Sequence, residues 1–521
     1  MIAPLRALLH RVGPLSRVKM FRDAPMQTQR HMLRTMLNHA APTEWGHRYD
    51  FADIARQDDV VAAYQERVPL HTYDDIAEDA RRIRRGASDV LWPGTATHFA
   101  VSSGTVSDGK VLPVSTETID ANRAFSVGVG LNYLVETGKW RFLLGRHLTL
   151  PGRVAEDPDH PGTYAGEVSG ILAKHAPGFF KALYQAVPNE VSFIENWETK
   201  LKTIAERTLD QDIRLVVMVP SWAVVFFQDV IDAYNRRYNA QATTVHEVWP
   251  NLQVFISGGV ALRSYREQLQ EIIGGPMDFI ETYGASEGFF AFQDDPDDPS
   301  LLLHLNNGVF YEFVPVDEHG AANPTRHTID TVETGVRYAL HATSYSGLWS
   351  YDVGDVVRFT SLDPYKIEVA GRTSEMIDKF GEAIYADEVR SALREACTAT
   401  GAEFDHYHVA PAPMRSGEAP HHEWIIEFAT HPGDLDAFRD AIDRHLNEIN
   451  RHYHIRRQSR GVGAPVIQDV PEGTFYAWLK ASNDYISGQT KVPRMSAERT
   501  VADAILNARP SADAEVHSDQ L

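Results

Sequence analysis

Apolar residues recur one helical turn apart at Met32, Leu33, Met36 and Leu37, which predicts a helix near residues 28–40. A second stripe, Tyr73, Ile76, Ala80 and Ile83, follows Thr72, whose hydroxyl suits an N-cap with Asp75 in the first turn. Helical spacing also covers residues 116–135. Residues 141–150 read as a strand, and residues 151–178, rich in Gly and Pro, as irregular. Largely apolar runs at residues 213–219, 252–257 and 279–283 predict buried strands, the first buried on both faces. Ser221 is placed to cap the next helix, along which Trp222, Val225, Phe226 and Asp229 are spaced. Residues 309–316 and 353–359 read as further strands. Strands alternating with helices predict an α/β layer architecture with ligands gathered at strand ends. Those ends carry Gly258, Gly259 and Gly284.

After Gly371 the pattern changes. A helix is expected over residues 386–396 and strands near 404–410 and 424–428. A long amphipathic helix then follows on Leu435, Phe438, Ile442, Leu446 and Ile449. This order fits a small α+β domain, joined near residues 362–372, so that the chain divides into residues 1–365 and 366–521.

Composition narrows the function. A chain of 521 residues that is 43% hydrophobic can bury a large core. With 50 basic and 71 acidic residues the net charge is −21, which argues against nucleic acid as partner. Cys397 is the only cysteine, so no intramolecular disulfide exists, and the count suits a reducing compartment. Arg6, Arg11, Arg17, Lys19 and Arg22 precede the first acid, Asp23. Arg6, His10 and Arg11 interrupt any apolar stretch that a signal peptide would need, and an amphipathic helix lying on the body is the expectation. The most apolar region, residues 215–231, is broken by Pro220, Ser221 and Gln228 and is too short to span a bilayer. These features predict a soluble, cytoplasmic enzyme with small-molecule substrates and neither nucleic acid nor membrane as partner. They leave the oligomeric state open.

The stretch Phe99-Ala-Val-Ser102-Ser103-Gly104-Thr105-Val106-Ser-Asp-Gly109-Lys110 has the make-up of a phosphate-holding loop. Glycines let amides approach, hydroxyls donate, and Lys110 adds a mobile charge. Gly104, Gly109 and Lys110 also fit the P-loop frame, but Val111 stands where that frame needs Ser or Thr, and Pro113 blocks the helix. A Ser/Gly-rich surface turn is the alternative.

Tyr283-Gly284-Ala285-Ser286-Glu287-Gly288 offers Glu287 as a hard oxygen ligand for Mg²⁺ and Tyr283 as a flat surface for a base. It also satisfies G-x-S-x-G, the nucleophile elbow of serine hydrolases, although the residues after it leave little room for a helix. In Tyr351-Asp352-Val353-Gly354-Asp355, an aspartate just before a strand can accept both ribose hydroxyls, or it can simply cap a turn. Gly371-Arg372 precedes Glu375, Lys379, Gly381 and Glu382, and Lys491 lies between Gly488 and Pro493. The pairs His406/His408, His421/His422 and His452/His454 lack zinc-site spacing, and Asp294, Asp295, Asp297 and Asp298 read as a solvated loop.

Taken in order, Ser102-Ser103-Gly104-Thr105, Tyr283 to Glu287 and Tyr351 to Asp355 resemble the motifs of the auxin-responsive acyl-acid amido synthetases, the Gretchen Hagen family of adenylate-forming enzymes. Gly308-Val-Phe-Tyr-Glu-Phe313 and Lys491-Val-Pro-Arg494 extend the resemblance over nearly the whole chain. It implies a firefly-luciferase-like large N-terminal domain and a smaller, mobile C-terminal domain. It also implies activation of a carboxylic acid with ATP and Mg²⁺ to an acyl-AMP, then transfer to an amino acid as an amide. An acyl ligase with a thiol acceptor, a hydrolase at Ser286 and a nucleotide-binding protein without turnover are the alternatives.

By motif, Ser102, Ser103, Gly104 and Thr105 would hold phosphates, with Gly258 and Gly259 beside them. Tyr283, Gly284, Ser286 and Glu287 would serve nucleotide and Mg²⁺, and Asp355 with Arg372 the ribose side. Lys491 would reach the α-phosphate, with Lys110 as a second cation. Phe125, Val129, Tyr133, Ser221, Trp222 and Phe226 are expected around an apolar acyl pocket. Two departures stand out: Asp352 where the family usually has Arg, and Val106 where a serine is common.

Overall fold

The computed structural model describes residues 23–101, 110–194, 196–377, 379–380, 382–413, 420–459, 461–482 and 492–509. Among them the chain forms two compact units. The first runs to Val353 and includes Val357–Val369; the second takes Gly354–Val356 and continues from Ala370.

In the first unit the strands are β1 (His98–Val101), β2 (Val111–Val114), β3 (Arg146–Thr149), β4 (Val154–Glu156), β5 (Tyr164–Gly166), β6 (Ile213–Val217) and β7 (Val254–Ser257). They continue with β8 (Asp278–Ala285), β9 (Gly288–Phe292), β10 (Leu301–Leu303), β11 (Val309–Pro315), β12 (Arg337–Ser344), β13 (Leu348–Leu362) and β14 (Tyr365–Arg372). Ten of them make one sheet, ordered β11-β12-β13-β14-β10-β9-β8-β7-β6-β3, and β2-β1-β5-β4 make a second.

β3, β6, β7 and β8 run parallel. Leu148, Val216, Phe255 and Phe279 stand in register across them and pack in one layer with the helices Trp197–Thr208 and Pro220–Tyr238. Their neighbours Leu215, Val254 and Ile280 face the other layer, which holds Phe125 and Val129 of the helix Thr116–Thr137. Side chains that alternate between two apolar layers are what a sheet covered on both faces requires.

Several elements differ from the sequence expectation. Residues 141–150 are not one strand: a 3₁₀ turn, Arg141–Leu144, precedes β3. Gly145 separates them, and a Cβ there would meet the Asp212 carbonyl oxygen at 2.4 Å. Residues 151–178 contain β4, β5 and the helix Val168–Lys174 rather than irregular chain. Ser221 does not cap its helix: Pro220 occupies the first turn and Val219 the N-cap, because proline suits that position and lacks an amide to be capped. The acidic loop is anchored, with Lys366 Nζ 2.8 Å from Asp294 and 2.6 Å from Asp298. Thr72 and Asp75 do form the expected capping box, ahead of the helix Tyr73–Arg84.

The second unit holds β15 (Met376–Ile377), β16 (Ile384–Tyr385), β17 (Glu403–Pro411), β18 (His422–Thr430) and β19 (Val466–Val470). β17-β18-β19 form a sheet whose Tyr407, Val409, Trp424 and Ile426 pack on the helices Ala386–Thr400 and Leu435–Ile449. Its other face, with Ala410 and Ile425, is covered by Phe475 and Trp478.

Candidate functional site

The parallel strands end together in a row of backbone-accessible residues. β7 stops at Ser257 and gives way to Gly258 and Gly259. Gly259 has φ +88°, a conformation that favours glycine, and a Cβ on Gly258 would sit 2.9 Å from Thr282 Oγ1. Thr282 donates to the Ser257 carbonyl at 2.7 Å, tying the end of β7 to β8. Gly258 thus lets the end of β7 lie close against Thr282, and the backbone that follows it stands at a strand end, the place where ligands gather in α/β folds.

β8 does not stop at Gly284 but turns back as a hairpin. Ala285 pairs with Gly288, leaving Ser286 and Glu287 as a two-residue turn. The register shifts between Tyr283 and Gly284, and a Cβ on Gly284 would lie 2.5 Å from Phe289 Cδ1. Glycine therefore lets the Phe289 ring fold onto the strand. Because a strand, β9, follows Ser286, the elbow of a serine hydrolase is not formed, for that motif needs a helix there. For the same reason Glu287 is not an acid at a helix start. Its side chain is buried, which suits a carboxylate held for a cation more than one left in solvent. Tyr283 is also buried, its ring 5.2 Å from that of Phe290.

The phosphate loop expected from the sequence, Ser102, Ser103, Gly104 and Thr105 to Gly109, lies outside the described residues, as does Lys491. The ends of that loop are fixed: Val101 pairs with Val111 across β1 and β2. Lys110 Nζ sits 5.9 Å from the ring centroid of Tyr73 and 5.8 Å from that of Tyr351. The Val111 amide donates to Tyr73 Oη at 3.1 Å. Sequence pattern gave Tyr73 only a place on a helical stripe; no local signal ties it to Lys110.

Tyr351-Asp352-Val353-Gly354-Asp355 lies inside β13 rather than before a strand. Asp352, the departure from the family pattern, meets His319 Nε2 at 2.8 Å, and this hydrogen bond raises the imidazole pKa. In the second unit Asp355 Oδ1 is 3.3 Å from Arg372 Nε, and the Thr373 amide donates to the Gly354 carbonyl at 2.9 Å. Gly354 has φ +81°, the kink that lets the strand bring these groups together. Also in this unit, buried Glu382 accepts from His422 at 2.7 Å and from the Phe380 amide at 2.6 Å.

The six acyl-pocket candidates do not share one wall. Phe125 stands edge-on to Phe289 at 5.4 Å and Phe292 at 5.6 Å, beside the hairpin. Val129 lies deeper in the same layer. Tyr133 donates to Asp278 at 2.6 Å, at the start of β8, whereas the hairpin is at its end, roughly 23 Å away at strand rise. Phe226 is in the opposite layer, packed with Trp249. Ser221 and Trp222 lie in the first turn of their helix, where β6 ends, with Trp222 against Trp197 at 5.0 Å. Helical spacing finds the buried face of each helix but not which side of the sheet it covers.

Similar folds are known. The solved structure of an acyl acid amido synthetase, AtGH3.15 in complex with 2,4-DB, superposes with a TM-score of 0.77 over 96% of this chain and 97% of that one, at 17% identity. A 2-hydroxyisobutyryl-CoA ligase in complex with 2-HIB-AMP gives 0.58 over 92% and 90%, at 13% identity. The fold is that of the adenylate-forming ligases, a large α/β domain followed by a smaller one. Within it, models of the GH3 family N-terminal domain match residues 14–136 and 125–277, the central domain 302–372 and the C-terminal domain 387–500. The chain belongs to the GH3 family. Among curated relatives, the indole-3-acetic acid-amido synthetase GH3.3 of Arabidopsis thaliana is 22% identical, covering 89% of this chain and 88% of the relative. The probable indole-3-acetic acid-amido synthetase GH3.1 of Oryza sativa subsp. japonica is 25% identical, covering 86% and 83%.

Proposed function

We propose that this chain is an ATP-dependent acyl-acid amido synthetase. The observation that supports the reading is the β8–β9 hairpin, whose two-residue turn carries Glu287 at the end of β8, next to the strand that ends in Gly258 and Gly259. In the first step a substrate carboxylate oxygen attacks the α-phosphorus of ATP, the bond to the β-phosphate oxygen breaks, and pyrophosphate leaves. In the second an amine nitrogen attacks the acyl carbonyl carbon, the bond to AMP breaks, and the amine proton passes to solvent. Neither step needs much acid–base chemistry. Both need anions held together against repulsion, so placed cations and amides supply most of the rate.

Each residue has a part in that task. Lys110 and Lys491 supply positive charge, and Ser102, Ser103, Gly104 and Thr105 donors to phosphate. Asp355 takes the ribose hydroxyls, with Arg372 holding its carboxylate. Glu287 fits Mg²⁺, which when bound would spread phosphate charge. Phe125, Phe289 and Phe292 suit an apolar acid. The smaller domain expected over residues 366–521 would turn between the two steps about residues 362–372. With Cys397 its only cysteine, the enzyme suits a reducing cytoplasm.

Pyrophosphate release across a panel of acids, followed by mass spectrometry of products with amino acids and with coenzyme A, tests the reading. Amide products are expected. A thioester formed in preference to any amide, or no acid-dependent pyrophosphate at all, would overturn it. Lys491→Ala is expected to slow single-turnover adenylation while leaving ATP binding nearly intact.

A further inference from the structure

One surface of the first unit has no part in this chemistry. The short helix Gly178–Leu183 has no buried residue. Phe179 and Leu183, one turn apart on its face, are 70% and 62% exposed, the most open large apolar side chains among the described residues. The 3₁₀ turn Arg141–Leu144 lies against the same helix: Leu143, Leu144, Ala182 and Leu183 line one cavity of about 540 Å³. Leu144 is 59% exposed and Leu143 39%, and Trp140, which precedes the turn, is 50% exposed. Five exposed large apolar residues on two short elements that share one cavity call for a partner.

The charge of the two segments that carry these side chains points to the partner's chemistry. Although the chain carries 71 acidic residues, residues 137–155 and 168–189 contain none, while Lys139, Arg141, Arg146, Arg153, Lys174 and Lys181 lie within them. Two acids reach the cavity from elsewhere, Asp210 and Asp212, and each is paired, with Arg237 at 2.9 Å and Arg214 at 2.7 Å. Lys139 is paired with Asp278 at 2.6 Å. Apposing this patch to its copy on a second chain would bring like charges together. Exposed Trp, Phe and Leu side chains set among Lys and Arg match instead an anionic lipid surface, where rings and leucines enter the headgroup region and cations meet phosphate.

We infer that the face formed by residues 139–146 and 178–184 binds anionic membrane surfaces. The inference goes beyond the ligase reading and departs from the sequence expectation of no membrane partner. It concerns a peripheral contact: among the described residues no helix is long and apolar enough to cross a bilayer.

The test is flotation of the full chain with phosphatidylcholine vesicles and with vesicles of phosphatidylcholine and phosphatidylglycerol, at low and high salt. Binding at least tenfold stronger to the anionic vesicles, and weakened by salt, is expected. Phe179→Ser with Leu183→Ser, and separately Arg141→Glu with Lys181→Glu, should each lower it about tenfold or more. Pyrophosphate release should not change, since none of these residues belongs to the proposed site, and the melting temperature should change little, since Phe179, Leu183 and Arg141 are exposed and Lys181 is half-buried. Absence of binding at low salt, equal binding to both vesicles, or binding indifferent to both double variants would overturn the inference. So would sedimentation showing a dimer that the serine variant dissolves, which would make the face an interface between copies.

Discussion

At the scale of single residues, the site depends on backbone positions where a side chain cannot be added. Gly284→Ala places a methyl 2.5 Å from the Phe289 ring. The hairpin must shift, at a cost of about 1–3 kcal/mol, and urea unfolding with pyrophosphate assay should show both stability and activity falling. Lys110 sits over two tyrosine rings, and Lys110→Met is expected to lower the adenylation rate by about 100-fold, measured in single turnover. His408 carries a different prediction. Its Nδ1 meets the Pro493 carbonyl at 2.6 Å, and burial lowers its pKa to about 4. The folded state therefore keeps this imidazole neutral where the unfolded chain, near pKa 6.5, takes up a proton. Its contribution to stability is complete above about pH 6.5 and is lost as the pH falls toward 4, amounting to roughly 3 kcal/mol. Urea midpoints measured across that range should fall with pH, and His408→Asn should flatten the fall.

At the scale of elements, buried polar groups hold together pieces that sequence pattern treats separately. Glu312 on β11 accepts from Arg326 at 2.9 Å and from Ser350 on β13 at 2.5 Å. Arg326 in turn donates to the carbonyls of Gln65 and Val68, and Tyr64 bonds Thr343 on β12. Ser350, with φ +44°, is held just before Tyr351. Glu312→Gln would leave Arg326 largely buried without its counter-charge, at about 3 kcal/mol. Chemical denaturation should report that loss, and a change under 1 kcal/mol would show that the network is not a clamp. The helix start at Thr72 and the buried strands were legible because capping and apolar runs are local. The hairpin turn at Ser286-Glu287 was not, since Gly284 permits a helix or a strand after it and only the pairing of Ala285 with Gly288 chooses.

At the scale of the whole molecule, the ligase reading links the stability of the fold to occupancy of its nucleotide site. A ligand that joins an acyl group to adenosine should therefore stabilise the chain, by about 2.7 kcal/mol at a hundred times its dissociation constant. Thermal melts with a non-hydrolysable acyl-adenylate analogue should show the rise, and Glu287→Gln and Asp355→Ala should each reduce it. A rise untouched by either substitution would remove that residue from the site.

The sequence by itself determined the α/β class, the smaller α+β part after Gly371 and the order of motifs, because periodicity, glycine and charge act over a few residues. Only the tertiary structure decided that Phe125 and Phe226 cover opposite faces of the sheet, that Tyr133 lies at the far end of β8, and that Tyr73 faces Lys110. These relations join residues distant in the chain, and they follow from strand order and register, which side-chain pattern along one segment does not encode.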